Sequence, residues 1–281
     1  MAKIGIVDSG CGGLSVYREI LKVLPHSSYI YYADNANCPY GEKSQDFIME
    51  RMRTVSEYLM GEGADIIVVA CNTATSAAIA GLRGLYADPS SEECRERVLK
   101  ATGGRRDHVK FIGMEPAVKP AALGTKTGII GVLATAGTLK GSKYLTSKGN
   151  VEDNVTVVEH VGRGFVELVE AGRLDGPEVE NTVEKSLRPL LDAGSDIIVL
   201  GCTHYPFLLP VMERVAGPGV RFIDPASAVA RHLVDVMVQE GLISGAETEP
   251  AIQQKKPDAR LVASGDDSTL KNLFNMIYVR G

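Results

Sequence analysis

Residues Gly63 to Thr73 read GADIIVVACNT, and residues Gly194 to His204 read GSDIIVLGCTH. Glycine, aspartate, two isoleucines, valine and cysteine recur in the same places. Position 63 maps to 194 and 71 maps to 202, an offset of 131. Each phrase is a short apolar run that ends in a cysteine and a turn. Such a run fits a parallel strand covered on both faces. Cys71 and Cys202 therefore hold equivalent places in two copies of one unit. The expected arrangement is two thiols facing each other across a small molecule.

The neighbouring sequence alternates strand and helix patterns. Lys3 to Val7 reads as a strand, followed by the turn Asp8-Ser9-Gly10-Cys11-Gly12-Gly13 and a helix stopped by Pro25. This turn has neither GxxxxGK[ST] nor GxGxxG spacing, so a nucleotide loop is disfavoured. Asp8, at the end of a first strand, could hold an ammonium group. Tyr29 to Tyr32 forms a second strand, and Pro39-Tyr40-Gly41 is a turn or a rigid lip beside a ligand. Ser44 is placed to cap the next helix, and Asn72 or Thr73 to cap the helix after Cys71. A cysteine at a strand end next to a helix N-terminus is expected to favour thiolate. Residues 88–108 read as a solvated helix-plus-loop excursion, with Cys94 incidental. In the second half, strands are expected at 128–134, 155–160 and 196–200, with Thr135 to Thr138 as a turn. The stretch 241–259 is polar and is expected at the surface, followed by a strand and a helix. The fold class is α/β, with two pseudo-symmetric parallel-sheet domains and the site in the cleft between them. Residues 1–115 with 222–281 are assigned to the first domain and 116–221 to the second.

At 281 residues the chain exceeds what one core usually fills. A net charge of −5 leaves no basic excess to neutralise phosphates, so a nucleic-acid partner is not expected. The opening MAKIGIVDSG enters a strand at once, without a signal-peptide core, and no apolar run has membrane-spanning length. Five scattered cysteines without a CxxC pair suit free thiols in the cytoplasm rather than a disulfide framework or a zinc site. No metal and no cofactor are expected. Two facing cysteines leave disulfide redox, single-nucleophile catalysis and proton transfer on both faces of one carbon. The third accounts best for the duplication, and it predicts a bell-shaped pH profile from one thiolate and one thiol. A modest depression of a cysteine below its free pKa would then suffice. Asp8 beside Cys71 and His204 beside Cys202 are the candidate proton managers.

The motifs IGIVDSGCGGLSV, YYADNANCPYG, ADIIVVACNTA, GVLATAGT, FVELVE and IIVLGCTHYPFL resemble those of the aspartate/glutamate racemase family, in its glutamate branch. They run in the family order from Ile4 to about Asp224. The DSGxGG turn and the Thr203-His204 pair after the second cysteine favour glutamate over aspartate. The resemblance implies cofactor-independent interconversion of L- and D-glutamate for peptidoglycan synthesis, in the cytoplasm, by a homodimer. It implies Cys71 as the base for D-glutamate and Cys202 as the base for L-glutamate. Substrate contacts are implied for Asp8, Ser9, Pro39, Tyr40, Gly41, Asn72, Thr73, Thr203 and His204, with Thr135 and Thr138 nearby. Asp34 and Glu170 match acidic positions of the family. Cys11 and Cys38 depart from it, standing where an aliphatic or aromatic residue is expected. The short N-terminus resembles members that need no activation by a cell-wall precursor. The alternatives are a racemase of aspartate or another amino acid, a non-catalytic binder of acidic amino acids, and a thiol-redox protein.

Overall fold

The computed structural model describes residues 2–244 and 258–279. In chain order the first half runs β1 (Lys3–Asp8), α1 (Leu14–Val23), β2 (Ser28–Ala33), α2 (Gln45–Gly61), β3 (Ile66–Val69), α3 (Asn72–Tyr86), α4 (Glu92–Thr102) and β4 (Lys110–Gly113). The second runs α5 (Val118–Gly124), β5 (Ile129–Ala134), α6 (Ala136–Leu139), α7 (Ser142–Gly149), β6 (Thr156–Val161), α8 (Phe165–Glu170), α9 (Pro177–Asp192), β7 (Ile197–Gly201), α10 (Leu209–Ala216) and β8 (Arg221–Ile223). The chain then returns through α11 (Ala226–Gln239), β9 (Ala259–Ala263) and α12 (Ser268–Val279). Of the polar 241–259 stretch, residues 245–257 lie outside the described residues.

Two sheets of parallel strands result, in the orders β4-β3-β1-β2-β9 and β6-β5-β7-β8. In the first, β1 connects outward to β2 on one side while β3 connects to β4 on the other. The β1/β3 gap is thus the point where connections diverge, and β5/β7 is its counterpart. Crevices at the carboxyl ends of such strand pairs are where open α/β sheets bind ligands. The repeated phrase sets both pairs. Ile66 to Val69 is wholly buried, each side chain contributing ~1.5–3 kcal/mol of hydrophobic stabilisation. Gly63 and Gly194 both take left-handed backbone (φ +99° and +86°), which a side chain would strain. Asp65 accepts the Lys3 N–H, and Asp196 accepts the Lys126 N–H, so each copy ties its strand to the neighbour in the same way.

Helix α11 packs on α1, and β9 extends the first sheet beside β2. Tyr17 of α1 stacks on Phe274 of α12. One hydrophobic cluster runs through both halves, from Leu14 and Tyr17 to Phe165, Leu200 and Tyr205. Two sequence expectations change. The 88–108 excursion is not simply solvated: α4 buries Cys94, Val98 and Thr102 against α2 and α3. The cap of α3 is Cys71 itself, ahead of the expected Asn72 or Thr73, because its extended backbone lets the sulfur accept the Ala74 N–H. Ser44 caps α2 as read from the sequence, accepting from Phe47 N.

Candidate active site

The first wall of the cleft forms where β1 and β3 end. Cys71 Sγ lies 3.4 Å from Ala74 N and donates to Ser9 Oγ at 3.7 Å. Burial, followed by the negative charge of Asp8, pushes the Cys71 thiol up to about 12. This corrects the expected depression. The helix N–H does favour thiolate, but desolvation of a buried charge outweighs one weak hydrogen bond to sulfur. Asp8 accepts from Gly10 N (2.7 Å) and from the Thr203 hydroxyl across the cleft (2.9 Å). Complete burial still lifts its carboxyl to about 6, against the pull of His204.

The second wall is built differently. Cys202 Sγ lies 3.7 Å from His204 Nδ1, and His204 Nε2 lies 2.6 Å from Glu170 Oε1. Glu170 Oε1 also accepts the Cys11 N–H at 2.7 Å, so α8 anchors both the histidine and the first turn. Burial alone would lower the pKa of His204. Its contacts with Cys11, Cys202, Cys38 and Glu170 instead hold it well above the usual imidazole range. Burial likewise works against ionisation of Glu170, but the histidine and the Cys11 N–H keep its pKa low. Packing explains the glycines of the first turn. A methyl group on Gly10 would sit 2.0 Å from Glu170 Oε1, and one on Gly12 would sit 2.3 Å from His204 Nδ1.

Between the walls lies a cavity of about 20 Å³. It is lined by Cys71, Cys202, Ser9, Pro39, Tyr40, Gly41, Asn72, Thr73, Thr135, Thr203 and His204. Of the residues singled out in the sequence, Asp8 and Thr138 stand one layer back. Asp8 is wholly buried behind Ser9 and Thr203. Thr138 shares a hydroxyl cluster with Thr73 and Thr135, which lie 2.9 Å apart across the cleft. Asp34 has a positioning place: its carboxylate accepts from Tyr40 Oη (2.5 Å) and from two nitrogens of Arg51 (2.9 and 2.8 Å), which stiffens the lip. Asn72 Nδ2 is buried with no hydrogen-bond partner among the described residues. A buried donor in that state costs about 1–3 kcal/mol until an acceptor arrives.

Three contributors were missed in the sequence. Val166 lines the cavity, Arg51 fixes Asp34, and the Ser15 hydroxyl donates to Thr203 O across the cleft at 2.9 Å. Val166 and Ser15 lie in ordinary helical patterns and carry no chemical signature. Arg51 is one of several charges on α2, and only the fold shows which one turns inward.

Comparison with known proteins extends this picture. The Asp/Glu/Hydantoin racemase family model matches residues 104–233. The chain is 38% identical to the glutamate racemase of Stutzerimonas stutzeri, over 99% of this chain and 94% of that protein. It is 43% identical to that of Methylococcus capsulatus, over 86% and 81% of the two chains. Among solved structures, glutamate racemase isoform RacE1 from Bacillus anthracis superposes with a TM-score of 0.77 at 28% identity, covering 99% of this chain and 94% of that one. Escherichia coli glutamate racemase, in complex with L-glutamate and the activator UDP-MurNAc-ala, gives 0.73 at 30% identity, covering 98% and 95%. The two-sheet architecture is thus shared with these enzymes, and sequence identity is sustained from end to end; the chain belongs to the glutamate racemase family.

Proposed function

We propose that the protein interconverts L- and D-glutamate by moving the α-proton between Cys71 and Cys202. The observation that carries this reading is the cavity itself: it has a thiol on each wall, at equivalent strand ends. A carbon held between two such groups can lose its proton to one and regain a proton from the other on the opposite face. Cys71 as thiolate takes the proton of D-glutamate, leaving the electron pair on the α-carbon. The Cys202 thiol then delivers its proton to the other face, giving L-glutamate and a Cys202 thiolate. The reverse reaction exchanges the roles.

The surroundings supply the remaining parts. Asn72 Nδ2 and the Thr73 hydroxyl are donors for a carboxylate. Asp8, behind Ser9, draws the α-ammonium group. That positive charge also cancels the carboxylate charge that raises Cys71, so binding of substrate favours the thiolate. On the other side, the His204–Glu170 pair takes and returns the Cys202 proton. A supply of D-glutamate for peptidoglycan, a cytoplasmic location and a homodimeric state belong to the same reading and rest on the family resemblance. Among the described residues, no helix is long and apolar enough to cross a membrane. Sedimentation of the protein as a monomer would remove the dimer from the reading. The central test is α-proton exchange in D₂O with both enantiomers of glutamate and aspartate, with no added cofactor. Exchange and racemisation of glutamate are expected, with aspartate far slower. Preference for aspartate, or exchange with neither, would overturn the assignment.

A further inference from the structure

The two cysteines that depart from the family pattern, Cys11 and Cys38, are not scattered. They converge on the back of the Cys202 wall. One ligand atom each from Cys11, Glu170 and His204 lies within 4.8 Å of the others. Cys38 joins from the lip: the methyl position at Gly10 that falls on Glu170 Oε1 is also 3.2 Å from Cys38 Sγ. A second cavity of about 320 Å³, larger than the catalytic one, is lined by Cys11, Cys38, Pro39, Val166 and Glu170. It gives the group a route for a solute that does not pass between the catalytic thiols.

Two thiols, an imidazole and a carboxylate form a donor set matched to a soft or borderline divalent ion. Zinc–ligand bonds of about 2.0–2.3 Å place tetrahedral donors roughly 3.3–3.8 Å apart. The Cys11, Glu170 and His204 donors, within 4.8 Å of one another, stand up to about an ångström wider than that. We propose that Cys11, Cys38, Glu170 and His204 bind a thiophilic divalent cation, zinc above all, and that its binding silences the Cys202 wall.

The inhibitory step follows from which nitrogen faces which partner. His204 Nε2 faces Glu170, and Nδ1 faces Cys202. An ion on Nε2 replaces the His204–Glu170 hydrogen bond, and the proton of that bond and the two thiol protons leave through the larger cavity. The ring is then held by the ion in place of Glu170, and His204 no longer serves the Cys202 wall, while Cys71 is untouched. The inhibitory part rests on the proposed two-cysteine reaction; the binding part does not.

The test uses cobalt(II) and zinc on wild type, Cys11→Val, Cys38→Ala and Cys71→Ala. Wild type should bind one cobalt with a thiolate-to-cobalt charge-transfer band. Cys71→Ala should keep the band, while Cys11→Val and Cys38→Ala should weaken cobalt binding by at least about tenfold, the least that loss of an outer-shell partner costs. Zinc in a metal buffer should abolish racemisation in wild type, with the midpoint shifted by the same factor in Cys11→Val and Cys38→Ala. Either variant suffices if the other fails to fold. No thiolate band in folded wild type would overturn the site. So would a band lost in Cys71→Ala and retained in Cys11→Val, since the metal would then sit on the catalytic thiols. Wild type that shows the band but no racemisation would sink the proposed function and leave the metal site standing.

Discussion

The two cysteine loops follow an eleven-residue phrase with six identical positions and end in different chemical settings. Cys71 caps a 15-residue helix, and its close partners are a backbone N–H and the Ser9 hydroxyl. Cys202 is followed by Tyr205-Pro206 and a single tight helical turn, which brings His204 back against its sulfur. Asp8 lies behind the first thiol. The matching position at the end of β5 is Ala134, and the second thiol answers instead to a buried histidine and Glu170. The repeat thus places two sulfurs at equivalent strand ends, while the residues around them differ. The difference teaches that position in a parallel sheet is set by the strand phrase, and chemical setting by the turn after it together with side chains from other elements, Asp8 of β1 and Glu170 of α8.

The most severe way to break this comparison is to remove each sulfur. Cys71→Ala and Cys202→Ala should each lower racemisation by about 10⁴-fold, the upper end of what one acid–base group supplies. On the proposed mechanism full turnover cannot separate the walls, because each cycle would need both. Elimination from a β-chlorinated glutamate needs only the first abstraction: Cys71→Ala should retain the L-analogue, and Cys202→Ala the D-analogue. Equal loss with both enantiomers would mean that the walls are not stereochemically distinct. Next in size, His204→Asn should slow elimination from the L-analogue by about 10³-fold, with the D-analogue within tenfold of wild type. A symmetrical loss would show that the histidine serves the whole cleft.

Asp8 sharpens the comparison through stability. Its folded pKa is raised from 3.8 to about 6. The folded state therefore binds this proton more tightly than the unfolded state does. Its contribution is complete below about 4 and is lost as pH rises through about 6. Asp8→Asn should thus stabilise the fold by about 3 kcal/mol at pH 7.5 while reducing racemisation. Urea unfolding should show the gap between variant and wild type widening from pH 4.5 to 7.5. A constant gap would show that the carboxylate's burial is already compensated. The smallest effect is expected from Glu170→Gln, which keeps an oxygen for Cys11 N but removes the charge behind His204. Abstraction from the L-analogue should slow about tenfold, the worth of one charged hydrogen bond. An unchanged rate would reduce Glu170 to a support for the first turn.

Much of this was legible in residue order. Apolar runs of four or five residues ending at Cys71 and Cys202 predict buried parallel strands, and the 131-residue repeat predicts two equivalent sites. The α3 cap was placed at Asn72 or Thr73 rather than Cys71, since a cysteine is not among the usual capping side chains and only its extended backbone shows the role. The burial of Cys94 was missed because α4 is largely charged and hides a narrow apolar face. The direction of the Cys71 shift was misjudged because helix proximity is visible in sequence, whereas the depth of burial is not.

The sequence by itself determined the strand phrases, the glycine-rich first turn and the identity of the two thiols, because these depend on local periodicity and backbone freedom. Tertiary structure decided the rest. It joined Asp8 to Thr203, Glu170 to His204, and Thr73 to Thr135, pairs between 34 and 195 residues apart. It also drew Cys11 and Cys38 to the same histidine. The physical reason is that proton affinity depends on desolvation and on charges a few ångströms away. Neither is set by neighbours in the chain. Both are fixed only when the carboxyl ends of two sheets close on each other.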